Sequence, residues 1–216
     1  MKKDDRILVI IGVLLLIIAL SNYIFQLSQG QHWSKVLWFC KIATLIAAFG
    51  FISRNRLIIN IILVSSIVAQ TRWIVDFFLF LFGQGMGRNE WMSYGHPFMI
   101  ITSVIMHSIL IPLCFYGTYK LGFDKRCLKY SIILFAIFLL IISHFVTKEY
   151  LNLNCISYPC DYRHDDYLRI SQGHDLYFSP YYLIYNMIFW TVGAIPSYLL
   201  MKYLFTKVKY LNKNNN

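Results

Sequence analysis

The fold turns on two stretches, 57-LIINIILVSSIVAQTRWIVDFFLFLF-82 and 98-FMIITSVIMHSILIPLCFYGTY-119. Each matches or exceeds the roughly 20 mostly apolar residues that carry a helix across a bilayer. Yet Arg72 and Asp76 interrupt the first, and His107 interrupts the second. An ionisable side chain in hydrocarbon costs about 2.5–3.5 kcal/mol on insertion, so such residues face a bundle interior or a water-filled cavity. The pair reads as a helical hairpin with its polar groups turned inward.

The remainder of the chain has the same character. With 58% hydrophobic, 18% aromatic and 14% charged residues, the 216-residue chain is too apolar for an ordinary soluble domain. Further apolar segments at 7–25, 36–53, 130–146 and 181–205 raise the number of expected spans to six. The expected fold is all-α: a polytopic bundle of six transmembrane helices forming one domain over residues 1–216. A long outer loop is expected at 147–180 and a disordered Lys/Asn-rich tail at 207–216. Ala19 and Ser21 resemble a signal-peptide cleavage site, but apolar residues continue to Phe25, so the first span is expected to be retained.

The net charge of +10 follows from topology. If the N-terminus is cytoplasmic, thirteen basic residues fall on the cytoplasmic side and five on the opposite side, with Lys41 and Arg72 inside spans. That asymmetry fits the positive-inside rule, and an even number of spans returns the C-terminus to the cytoplasm. The expected location is a bacterial cytoplasmic membrane. No groove-reading or base-stacking motif accompanies the charge, so a nucleic-acid partner is not expected. Of the five cysteines, only Cys155 and Cys160 fall in the outer loop, which faces an oxidising compartment, and their C-x4-C spacing makes them the candidate disulfide pair. His164, Asp165, Asp166, His174 and Asp175 lack zinc-site spacing, so neither a metal nor a cofactor is expected.

At a rise of about 1.5 Å per residue, Arg72 and Asp76 lie roughly 22 and 28 Å along their helix, near its outer end. His107 lies about 15 Å, and Lys41 and Asn186 about 8 Å, below the outer ends of theirs. Lys41 is near enough to that end to snorkel. His144 sits near the outer end of the fifth span. Five helices thus place polar groups in the outer half, and an outward-facing polar cavity centred on His107 is expected.

Two chemistries fit such a cavity. In one, His107 is a general base for Ser103, Cys40, Thr44 or a water. Lys41 and Arg72 then stabilise an oxyanion on a lipid ester, with Asp76, His144 and Asn186 lining the substrate site. In the other, Asp76, His107 and His144 form a proton relay for a small solute or ion. A non-catalytic scaffold whose loop 147–180 binds a protein partner is a third, plainer reading. Ser103 and His107 are four residues apart on one helical face. Pro112 cannot donate to the Ser108 carbonyl, which leaves an acceptor beside the histidine.

The segments Trp73-x-x-Asp76-Phe77, His107-Ser-Ile-Leu-Ile-Pro112-Leu and Lys120-Leu-Gly-Phe-Asp124-Lys-Arg126 resemble a group of uncharacterised bacterial multi-pass membrane proteins. The likeness continues into Asn152-Leu-Asn154. More distantly, Met106-His107-Ser-Ile-Leu-Ile-Pro112 is similar to the histidine-bearing helix of the androgen-induced six-span family, whose members hydrolyse lipid esters and whose relatives include an acyltransferase. That resemblance implies membrane lipids as substrates and His107 as the catalytic base. The family's partner threonine has no match in context here; Cys40 and Thr44 lie nearby.

Overall fold

The turn at residues 53–56 shows how the chain reverses. Arg54 takes a left-handed backbone conformation, φ 53°. Asn55 then accepts hydrogen bonds from the Leu57 and Ile58 N–H groups at 3.0 and 3.3 Å. Those are orphan donors of a helix's first turn, so Asn55 starts a helix as it ends the reversal. His96 does the same for the next long helix, accepting from the Phe98 N–H at 3.2 Å, with Pro97 at its first position.

The computed structural model describes residues 3–84, 89–93, 95–146 and 180–214. All regular structure among the described residues is helical. The helices are α1 (Lys3–Ser28), α2 (Phe39–Ile52), α3 (Arg56–Leu81), α4 (Pro97–Leu121) and α5 (Cys127–Ser131). A π-helical stretch (Ile132–Leu139) joins α5 to α6 (Leu140–Val146), and α7 runs over Pro180–Asn214.

Six spans were expected, and among the described residues four helices are long and apolar enough to cross a membrane: Asp4–Ser28, Arg56–Leu81, Pro97–Leu121 and Ile184–Lys207. Phe39–Ile52 and Cys127–Ile142 are shorter apolar helices. The second span falls short because a 3-10 turn (Trp33–Leu37) and an extended Trp38 occupy its expected start. The 14 residues of α2 therefore reach only about 21 Å, against a hydrocarbon core of about 30 Å. The expected tail is different too: α7 continues as helix to Asn214, through Lys- and Leu-containing sequence that lacks Gly or Pro after Pro196.

The bundle is built around α3, which packs on α2, α4, α5 and α7. Residues 59–66 are all buried. Eight consecutive positions cover every side of a helix, so α3 is enclosed at this level. Close approach of α1 to α2 depends on small residues. A Cβ added at Gly12 would fall 2.7 Å from the Ala48 carbonyl oxygen and 2.8 Å from the Ile52 nitrogen. Ala43, Ala47 and Ala48 are fully buried in the same layer. Without a hydrophobic drive between helices in lipid, such backbone proximity is what holds them together.

One end of the bundle is tied by charge. Lys120 pairs with Asp4, and Arg54 with Asp5, both at 3.1 Å. Asp124 takes a two-pronged contact from Arg126, at 3.1 and 2.9 Å, and a further one from Arg56 at 3.4 Å. Arg126 beside it holds the Asp124 carboxyl well below the usual range, at about 2, against the opposing effect of burial. Buried Asn60 on α3 locks this corner by donating to Thr118 at 3.1 Å and accepting from the Asp124 N–H at 2.6 Å.

Candidate functional site

The polar residues of interest occupy the opposite half of the bundle, and the packing sorts them into two seams on either side of α4. On the first, α1 faces α2 and α4. Asn22 donates to Thr102 at 2.6 Å, and Lys41 donates to Gln26. Lys41 is 4% exposed, so its ammonium is retained in the bundle and does not snorkel outward. Thr44, one turn on, gives its hydroxyl to the Cys40 carbonyl at 2.7 Å.

The second seam lies between α3 and α4 and holds His107. The imidazole stacks on Trp73, with ring centroids 3.8 Å apart and planes 16° from parallel. Trp73 in turn stacks on Phe77 at 5.5 Å. His107 Nδ1 is 2.7 Å from the Ser103 carbonyl oxygen. A carbonyl can only accept, so Nδ1 carries a proton and donates; in the neutral ring the lone pair is then on Nε2. The Ser103 hydroxyl is 3.5 Å from the same Nδ1. A stacked plane and one hydrogen bond together fix the ring's orientation and its tautomer.

Around this layer, Asn89 closes the α3 end. It donates to the Asp76 carboxylate at 2.9 Å and lies 3.4 Å from the Trp73 carbonyl. Asp76 is fully buried. The Arg72 guanidinium lies over the Phe189 ring of α7, 5.7 Å from its centroid, which ties α3 to α7. Asn186, one turn before Phe189, is also buried.

Of the expected site residues, the structure brings Ser103 and His107 together and sets Arg72 and Asp76 on the same helix as the Trp73 stacking partner. Cys40, Lys41 and Thr44 lie on α2, and among the described contacts none joins them to His107. The His144 side chain, the pair Cys155 and Cys160, and the loop carrying His164 to Asp175 lie outside the described residues. Cys40, Cys114 and Cys127 are free thiols. Among the described residues no three His, Cys, Asp or Glu side chains group as metal ligands.

Sequence reasoning did not single out Asn22, Gln26, Thr102 or Asn89, although each makes an interelement bond. Uncharged polar residues in apolar runs were the available signal, but the partner depends on helix register, which the sequence pattern does not give. No family, curated protein or solved structure matches this chain.

Proposed function

We propose that this helical membrane protein is a lipid-directed hydrolase or acyltransferase of the bacterial cytoplasmic membrane, with His107 as its general base. The observation that carries the reading is the fixed imidazole: Nδ1–H held by the Ser103 carbonyl at 2.7 Å and the ring face held by Trp73. Catalytic histidines are oriented in this way, with one nitrogen engaged as donor and the other left basic. In this reading Nε2 takes the proton of the attacking group, and Arg72 on the neighbouring position of α3 stabilises the oxyanion. The ester comes from the bilayer itself, and the similarity of residues 106–112 to a lipid-hydrolase helix supports that choice.

The test is acyl release or transfer by the purified protein in liposomes carrying a panel of glycerolipid and phospholipid esters. His107→Gln, which keeps a hydrogen-bonding side chain of similar size, is expected to lower the rate by about 10²–10⁴-fold. Turnover unaffected by His107→Gln, or no turnover of any ester, overturns the reading. A second reading, a proton-coupled transporter, draws on the fully buried Asp76 carboxylate. It requires flux that Asp76→Asn removes.

A further inference from the structure

One layer below the Trp73–His107 stack, α3 carries polar atoms that the protein does not satisfy. Gln70 is 1% exposed, and both its amide oxygen and its amide nitrogen lack a hydrogen-bond partner. Ser66, fully buried and one turn further on, has an unpartnered hydroxyl. The contrast with its neighbours is informative. Thr44, Ser65, Thr102, Thr118 and Ser197 all give their hydroxyls to the carbonyl four residues earlier. Ser66 does not.

Positions 66, 70, 73 and 77 follow a 4-3-4 spacing and so share one face of α3. Trp73 on that face touches His107, which identifies α4 as the facing helix. The two helices are antiparallel, with Asn60 bonded to Thr118 at one end and Trp73 stacked on His107 at the other. In that register Gln70 and Ser66 lie opposite the buried Leu110 and Cys114, neither of which is a strong hydrogen-bonding partner. Trp73 lies three positions along from Gln70, an axial step of about 4.5 Å.

Buried polar atoms in native proteins are almost always bonded, to protein or to ordered water. We propose that Ser66 and Gln70 form a binding site for buried water between α3 and α4, adjoining the His107 layer. The occupant must be small, because both residues are sealed from the surface, and it must both donate and accept. Water does both, and one molecule commonly meets about three polar partners.

Radiolytic hydroxyl labelling of the purified full chain in micelles tests the site, since X-rays turn bound water into radicals that mark side chains beside it. Cys114 has no exposure to bulk solvent, so its oxidation reports internal water. Labelling of Cys114 is expected in the wild type and is expected to fall at least threefold in Gln70→Leu. If that variant does not fold, Ser66→Ala is expected to lower it at least twofold. An unlabelled Cys114 in the wild type overturns the proposal and points to a direct Gln70–Ser66 bond. Equal labelling in wild type and variants also overturns it. The readout is independent of catalysis: a labelled Cys114 that falls in the variants supports the site whether or not the protein turns over any ester.

Discussion

Asn60→Leu is the substitution that tests most sharply how α3 is locked to the charged corner of the bundle. Asn60 has no exposure, and its amide serves three partners: it donates to Thr118 at 3.1 Å and to the Gly122 carbonyl at 3.5 Å, and it accepts from the Asp124 N–H at 2.6 Å. Leucine is of similar size and fits an apolar interior, so the packing change is small. The Thr118 hydroxyl keeps its bond to the Cys114 carbonyl, so losing Asn60 as donor costs only about 0.5–1.5 kcal/mol. The Asp124 N–H is left without its acceptor in a buried position, which costs a further 1–3 kcal/mol or so. The expected loss is therefore about 2–4 kcal/mol, read from reversible unfolding of wild type and variant in mixed detergent micelles. A change within about 0.5 kcal/mol, the range of an ordinary surface substitution, would refute the reasoning.

Three further outcomes follow from the packing and the ion pairs. Gly12→Val should destabilise the bundle by about 1–3 kcal/mol in the same assay, because its Cβ meets backbone atoms of α2 at 2.7 and 2.8 Å. Gln26→Leu should cost about 1.5–3 kcal/mol, since it removes the acceptor for the buried Lys41 ammonium. Asp124 supplies a pH dependence. Its folded-state value of about 2 lies below the ordinary 3.8, so its stabilising contribution is present above pH 3.8 and is lost as pH falls towards 2. Asp124→Asn should flatten that limb of a stability-against-pH curve.

Much of the helical plan was legible in composition and periodicity. The expected span at 57–82 closely matches α3, and that at 98–119 matches α4, because each apolar run is long enough to carry a helix from end to end. The short α2 was less legible. Residues 36–38 are as apolar as a helix requires, and only the His32–Ser34 contact, a 2.7 Å bond at the start of the 3-10 turn, shows why the helix begins later. The site was legible in part. Four-residue spacing was enough to associate Ser103 with His107, but it did not reveal that the carbonyl, not the hydroxyl, is the closer partner. Contacts such as Trp73 on His107 and Asn22 on Thr102 join residues far apart in the chain, and they depend on how helices rotate and slide against one another.

The account rests on His107 being held as the Nδ1-protonated neutral imidazole, with Nε2 as the basic atom. Nitrogen-15 solid-state NMR of the histidine side chains in lipid bilayers, with His107 assigned by comparison with His107→Gln, measures this directly. A protonated Nδ1 and an unprotonated Nε2 at neutral pH are predicted. A proton on Nε2 with Nδ1 bare, or protons on both, would contradict it.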